Sequence, residues 1–563
     1  MTQHSDCATV GEAIADYLAR IGVTTIFGVI SIHNMPILDA VARQGRIRFV
    51  PARGEAGAMN MADAHARVSG RLGVCLTSTG TAAGNAAGAQ AEALTAGSPV
   101  LHITTQVDTA FADRDRAAIH DVPRQPQMLA GVSKAVFRIW EARGALGTLQ
   151  AAASAALSAP SGPVALEIPV DVQRQAPEGA LRGHAPVVQT PVAPQEAIEE
   201  LAARLRAARR PLLWLGGGAR GAGAEAAELV RRGVGVVTST NGRAVVAEDH
   251  PLSLGAFNMT PEAMALYQRC DLMVVIGSRL RGNETHNNRM PLPEQLVQID
   301  VDASQCGRNY PLAQMVQGAA ADTLARVLAQ LPEQLDTDPG FAAEIAEARE
   351  AGAARLMEQL GPYAALARAL DARVAAGGHP WVRDVTISNS TFGNRFVRLA
   401  SPRHGVHALG GGIGQGVAMG IGAALAGEAG KTITLLGDGG TQLGLAEMIT
   451  AVQERAPLVY ILMNDQAYGV IRNIQDAQYG ARHHYSALAT PDFATFAAAI
   501  GIAYHRVGQL DAGFETVLDA ALAAEGPQLI EIDMTAIGPF AQSFAGPPAG
   551  AAGGAVDGDR KER

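Results

Sequence analysis

Short apolar runs alternate with small-residue helical segments along nearly the whole chain, and that alternation leaves few folds open. TTIFGVI, IRFVPAR, LGVCLTST, SPVLHITTQ and PVALEIPVDV read as strands, with GEAGAMNMADAHARVSG and TAAGNAAGAQAEALTAG reading as helices between them. Strands spaced by helical segments imply parallel pairing, because parallel neighbours need a long crossover that packs back on the sheet. This pattern defines a first domain at residues 1–175. The Pro-bearing stretch RQAPEGALRGHAPVVQTPVAPQ has no clear period and reads as a linker. A second block, with RPLLWLGGGARG, VGVVTSTNG, CDLMVVIGSRL and EQLVQIDVD as strands, fills residues 190–335. A charged connecting helix follows. A third block, with WVRDVTIS, KTITLLGDG, PLVYILMND and PQLIEIDM, fills residues 362–541. The expected fold class is α/β, three doubly wound parallel-sheet domains. Residues 547–563 lack apolar content and are expected to form a flexible tail, with closure over an active site as the alternative.

The formal net charge of −9 argues against a general nucleic-acid binder, since phosphate backbones are held mainly by Lys and Arg. Cys7, Cys75, Cys270 and Cys306 are scattered without CxxC spacing, which argues against a zinc site or a disulfide framework. There is no signal-peptide pattern and no long uninterrupted apolar run, so the expectation is a cytoplasmic protein without membrane or nucleic-acid partners.

The stretch TITLLGDGG puts Gly437-Asp438-Gly439-Gly440 at the carboxyl end of a strand, where parallel α/β sheets bind their ligands. Glycines let backbone N–H groups approach an anion closely, and the following segment, LGLAEMITAVQE, reads as a helix with its positive end at the same place. Asp438 would repel a phosphate; a divalent cation between the two resolves the conflict. About 25 residues later, PLVYILMND delivers Asn464-Asp465 to the same sheet edge. Asp438, Asp465 and the backbone carbonyl near Ala467 together suit Mg²⁺. The plainer reading of Gly-Asp-Gly alone is a strand-to-helix turn.

These residues resemble the signature GDG, about 25 residues, then NN, of thiamine diphosphate (ThDP) enzymes. The likeness runs over nearly the whole chain, in the order pyrimidine-binding, central and diphosphate-binding domain. It points to the acetolactate synthase-like and 2-oxo acid decarboxylase group. The usual second Asn is Asp465 here, still an oxygen ligand. The resemblance implies ThDP and Mg²⁺ as cofactors, with Tyr468 and Gly469 beside the metal loop. VPARGEAGAMNMADAHARVSG resembles the segment carrying the catalytic glutamate, which maps to Glu55 and implies a hydrogen bond to the cofactor's aminopyrimidine ring and a proton relay. The competing structural role is a cap on the helix that Glu55 precedes. ALGGGIGQGVAMGIGAALAG resembles the glycine-rich segment, with Gly411 beside it and Ile413 as the apolar wedge that bends the cofactor; a helix-packing glycine repeat is the alternative. ISNSTFGN places Ser390 and Thr391 as candidates for the diphosphate. TSTGTAAGN resembles the turn facing the cofactor in the first domain, with Gly80 and Asn85 matching.

On the substrate side, FGVISIHNMPILDA departs from the family's FGxPG, and Ile32 would make that wall apolar, with His33 nearby. Gln106 matches a glutamine of acetolactate synthases, and the resemblance implies a catalytic role for it on the substrate side. His120 is a candidate proton donor, since histidine titrates near neutrality, although a lone loop histidine is more often polar surface. The glycine turn GGGARG and IGSRLRGNETHNN resemble the FAD-binding part of acetolactate synthases, which leaves FAD or another nucleotide open. The resemblance also implies a homodimer or homotetramer with active sites at the subunit interface. The expected activity is ThDP- and Mg²⁺-dependent carboligation or decarboxylation of a small 2-oxo acid. The alternatives are a 2-hydroxyacyl-CoA or oxalyl-CoA lyase, and a ThDP-binding protein without turnover. A nicotinamide dehydrogenase would need GxGxxG, which GGGARGAG half fits.

Overall fold

The computed structural model describes residues 7–178, 183–427 and 430–545, so the expectation for the tail at 547–563 lies outside the described residues. Strands β1 (Thr25–Gly28), β2 (Arg48–Pro51), β3 (Gly73–Leu76), β4 (Val100–Gln106), β5 (Ala135–Arg138) and β6 (Val164–Pro169) form the first sheet. The central sheet holds β7 (Pro211–Leu215), β8 (Gly235–Thr238), β9 (Leu272–Ile276), β10 (Leu296–Asp300) and β11 (Gln314–Gln317). The third holds β12 (Trp381–Arg383), β13 (Gly405–His407), β14 (Thr432–Gly437), β15 (Leu458–Asn464), β16 (Ala503–Val507) and β17 (Gln528–Asp533). All named pairings are parallel. β4, β6, β15 and β17 are buried along their whole length, as strands covered on both faces are, and β15 accordingly reads as an almost unbroken apolar run.

The two outer sheets share one strand order. The first runs β2-β1-β3-β4-β6-β5 and the third β13-β12-β14-β15-β17-β16. In each, the order reverses between the first and third strands, which opens a crevice at their carboxyl ends. The loops entering those crevices begin at Val29 and Thr77 in the first domain, and at Asp384 and Asp438 in the third. The central sheet, β11-β10-β9-β7-β8, has its crevice between β7 and β9.

The Glu55–Ser69 helix of the first domain lies against the Gly416–Ala424 helix of the third. Both are apolar or small on nearly every face, and residues 58–68 of the former are all buried. The approach is close enough that a Cβ at Gly422 would collide with the Met61 backbone. Phe27, Met59, Met61, Ile421, Leu436 and Tyr460 therefore share one core across the two domains. A second shared core joins the central and third domains through Trp214, Tyr267, Phe341, Trp381 and Ile433.

Two local elements differ from the sequence expectation. β12 stops at Arg383 instead of running through WVRDVTIS, and Asn389–Gly393 forms a π-helical turn. The polar side chains there bond locally: Asp384 accepts from Val385 N–H (2.8 Å) and Thr386 Oγ1 from Asn389 N–H (3.0 Å), which offers the backbone an alternative to the strand ladder. The helix expected over LGLAEMITAVQE is two helices, Asp438–Gly444 and Glu447–Gln453, the first starting at Asp438 itself. No helix among the described residues is long and apolar enough to cross a membrane.

Candidate active site at the strand ends of the outer domains

β14 ends at Gly437 and places Asp438 as the first residue of a helix, 2% exposed. β15 delivers Asp465 beside it. Burial, and then repulsion from the facing Asp465, push the Asp438 carboxyl up to about 7, and Asp465 is raised as well, chiefly by burial. Asp438 Oδ2 has no hydrogen-bond partner within the chain. A buried, unpartnered carboxylate oxygen facing a second carboxylate fits a divalent cation. Among the described residues no group of three His, Cys, Asp or Glu side chains converges on a metal position. Two carboxylates with backbone and phosphate oxygens suit Mg²⁺, which takes few protein ligands.

Asn464 turns away from the pair: its Nδ2 donates to Glu531 Oε1 (2.8 Å) and its Oδ1 accepts from Gln466 N–H (3.2 Å). Ala467 bridges Ala487, with Tyr468 N–H donating to Ser486 O (2.8 Å) and Leu488 N–H to Gln466 O (2.9 Å). In this pairing the flanking residues make the ladder bonds, so the Ala467 N–H and C=O point away from the partner segment. The N–H is directed at Asp465. The glycines here are steric requirements. A Cβ at Gly439 would lie 2.6 Å from the Tyr468 ring, and one at Gly469 would collide with the Asp465 carboxylate. At Gly440 it would lie 2.6 Å from Asp384 Oδ2.

Asp384, not singled out from the sequence, organises the glycine-rich strap. It is buried, accepts from Gly414 N–H (3.0 Å), and sits at the start of the Gly416–Ala424 helix. Burial pushes its carboxyl up to about 6 against the opposing effect of the backbone N–H groups. Gly411 (φ 82°) and Gly414 (φ 86°) take left-handed conformations on either side of Ile413, which is left 38% exposed. Thr391 and Ser390 lie half-buried in the π-helical turn, but the Thr391 hydroxyl donates to Ile387 O (2.9 Å) or Ser388 O (3.1 Å). Its proton is thus spent within the turn rather than offered to a phosphate.

In the first domain, Glu55 opens its helix without capping it; Gly54 is the N-cap and no side chain of that segment bonds back. Glu55 Oε2 instead accepts from Asn85 Nδ2 at 3.1 Å, joining two of the expected cofactor residues. Gly80 (φ 65°) donates its N–H to Gln125 Oε1 (2.5 Å), and a Cβ there would collide with the His120 carbonyl.

Gln106 is placed differently from the expectation. It is 1% exposed; its Oε1 accepts from Thr79 Oγ1 (3.1 Å) and Val107 N–H (2.8 Å), and its Nε2 donates to Glu167 Oε1 (3.2 Å). It belongs, with Gln125 and the Arg138–Glu167 pair, to a buried network beneath the Gly80 turn. His120 is exposed, in a left-handed conformation (φ 68°), with its ring 5.2 Å from that of buried His33. Burial, then the neighbouring His120, hold His33 below the usual histidine range. Ile30 and Ile32 are exposed beside them.

The central crevice is a cavity of about 450 Å³ between domains. Arg67, Arg220, Arg279, Arg281 and Arg403 line it, with glycine backbone at 217, 218 and 277 and carboxylates at Asp300 and Asp302. Arg220, Arg279 and Arg281 lie in the GGGARG and IGSRLRGNETHNN segments; Arg67 and Arg403 come from the outer domains.

Two like-folded parallel-sheet domains, each presenting glycine turns and carboxylates at its order-reversal crevice, define a cofactor-dependent α/β enzyme. The family models agree segment by segment: thiamine pyrophosphate enzyme, N-terminal TPP binding domain over residues 8–128, central domain over 198–327, and C-terminal TPP binding domain over 386–532. The chain belongs to the thiamine diphosphate-dependent enzymes of the acetolactate synthase-like family. It is 32% identical over 535 residues to the probable 2-ketoarginine decarboxylase AruI of Pseudomonas aeruginosa, covering 93% of this chain and 94% of that protein. It is 28% identical over 484 residues to the acetolactate synthase isozyme 1 large subunit of Escherichia coli, covering 84% of each. A probable acetolactate synthase large subunit of Methanocaldococcus jannaschii is 28% identical over 547 residues, covering 92% and 91%.

Proposed function

We propose that this enzyme is a ThDP- and Mg²⁺-dependent 2-oxo acid decarboxylase that releases an aldehyde. The chemistry supplied by bound ThDP is a nucleophilic carbon and an electron sink for the departing carboxylate. Asp438, Asp465 and the Ala467 carbonyl would hold Mg²⁺, and the Gly437–Gly440 turn would receive the diphosphate. Glu55, oriented by Asn85, would hold and return a proton at the aminopyrimidine ring. Ile413 would pack beneath the cofactor and Ile32 along the substrate.

The observation that carries decarboxylation is the His33–His120 pair. A product carbon must be protonated, and two adjacent imidazoles, tilted by 55° to each other, one buried and one at the surface, make a path for a proton from water. The name of the Pseudomonas relative, and the carboxylates of Asp115 and Asp121 around the His120 loop, favour 2-oxo acids with a basic side chain. The test is turnover of purified protein, with ThDP and Mg²⁺, on pyruvate, 2-oxo-5-guanidinopentanoate and branched 2-oxo acids, following carbon dioxide and the organic product. Aldehyde formation that falls at least tenfold in His120→Gln supports the reading; acetolactate from pyruvate sinks it.

A second reading, carboligation with FAD, is favoured by the arginine-lined central cavity. Arg67 is committed to Asp63 and Glu92, but the guanidinium groups of Arg220, Arg279, Arg281 and Arg403 suit a nucleotide diphosphate, and Asp300 or Asp302 a ribose. Calorimetric titration with FAD and with ADP separates a flavin site from a plain nucleotide site. Exposed Ile30, Ile32, Leu443, Ile471 and Tyr485 support a homodimer or homotetramer, with Glu55 of one copy serving the metal loop of another. Sedimentation of the holoenzyme tests this.

A further inference from the structure

The Glu55–Ser69 helix is capped from another domain. Glu447, the first residue of the Glu447–Gln453 helix, accepts from Arg53 N–H (3.0 Å to Oε1, 3.2 Å to Oε2) and Gly54 N–H (3.0 Å). It is 5% exposed, and Thr450 Oγ1 donates to its Oε2 at 2.8 Å. Gly57, one turn into the helix, makes room: a Cβ there would collide with this carboxylate.

The contact has a counterpart running the other way. Glu92 of the first domain accepts from Leu409 N–H (2.7 Å) and Gly410 N–H (2.6 Å) of the third, and a Cβ at Gly410 would lie 2.7 Å from Glu92 Oε2. Arg67 anchors Glu92 (3.0 Å) and donates to His407 O (2.7 Å). Both glutamates lie beyond the third strand of their own sheet, and each grips the backbone leading to a helix of the opposite domain. One gripped segment delivers Glu55 and the other delivers Ile413.

We infer that Glu447 is a positioning residue for Glu55, fixing the backbone from which the Glu55 carboxyl reaches the cofactor. The inference rests on the reading of Glu55 as the proton-relaying acid. Charge-assisted bonds to two adjacent N–H groups hold a helix start more firmly than neutral ones, and the helix dipole adds to them. The carboxylate is buried and the two N–H groups part-buried, so water replaces a lost acceptor only incompletely and the N–H groups would shift to find one. A displacement of an ångström is enough to break a proton-transfer geometry. An amide at position 447 can keep an oxygen at the Oε1 position for both N–H groups, but it removes the charge from those bonds and puts a donor at Oε2, where Arg53 N–H makes its longer contact.

The experiment uses Glu447→Gln and, as a milder change that keeps the carboxylate, Thr450→Val. Three quantities are read: backbone hydrogen exchange of a peptide spanning 52–58 in ThDP-free protein, ThDP affinity with Mg²⁺, and deuterium exchange at C2 of bound ThDP. For Glu447→Gln, peptide exchange rises at least tenfold, ThDP affinity stays within threefold, and C2 exchange falls at least tenfold. Thr450→Val moves the same quantities in the same directions by less, and decides the matter if Glu447→Gln does not fold. Unchanged C2 exchange, or a fall matched by an equal loss of ThDP affinity, overturns the inference. If Glu55→Gln itself leaves C2 exchange unchanged, the reading of Glu55 has failed instead.

Discussion

Asp438 and Asp465 face each other at the ends of adjacent strands, and Asp438 Oδ2 is left without a partner. In metal-free protein the raised Asp438 pKa means that the folded state binds a proton more tightly than the unfolded chain. Its contribution to stability is fully present below the ordinary Asp range, near 4, and is lost as pH rises through about 7. Thermal unfolding in chelator from pH 4 to 8 checks this against Asp438→Asn, which flattens that part of the profile. Mg²⁺ competes with the proton, so metal affinity rises across the same window in the native protein, and Asp438→Ala loses metal-dependent ThDP binding.

Glu55→Gln keeps an acceptor for Asn85 Nδ2 and removes the exchangeable carboxyl proton. Turnover falls by roughly 10²–10⁴-fold, the usual scale for a positioned acid or base, while ThDP affinity changes little. Steady-state kinetics with a separate ThDP titration checks both halves; normal turnover would remove Glu55 from the mechanism.

Ile413 is held between two left-handed glycines and is 38% exposed, so it contributes little to the core. Ile413→Ala therefore leaves the apoprotein's unfolding midpoint nearly unchanged and lowers kcat at least tenfold. Denaturant titration beside kinetics separates the two; equal losses in both would make Ile413 a packing residue.

Arg67 is 2% exposed at its side chain, bonded to Asp63 (2.5 Å) and Glu92 (3.0 Å). Arg67→Met leaves two buried carboxylates without their counter-charge, and a loss of about 3–5 kcal/mol follows. Urea unfolding measures it. Asp63→Asn in the Arg67→Met background returns part of the loss, because it removes one of the stranded charges.

The sheets and the Gly-Asp-Gly turn were legible in the sequence because their signals are local. A buried parallel strand is a continuous apolar run, and a glycine beside an acid at its end marks a close approach. Glu447 and Glu92 carried no such signal. Glu447 reaches across nearly four hundred residues to Arg53, and no periodicity encodes that pairing. Gln106 has a residue type that suits a substrate contact, but burial and three hydrogen bonds turn it inward. Thr391 is similar: inside a π-helical turn its hydroxyl finds a backbone acceptor first.

The exchanged caps bear on recombination between relatives. An outer domain moved into a homologous chain would arrive with its own glutamate but with a backbone cradle shaped for another. Residues 53–57 would need to travel with Glu447, and residues 408–410 with Glu92, although each set lies on the opposite side of any domain boundary. Chimeras that respect domain borders would thus split both sets, whereas those that carry the paired segments together would conserve them.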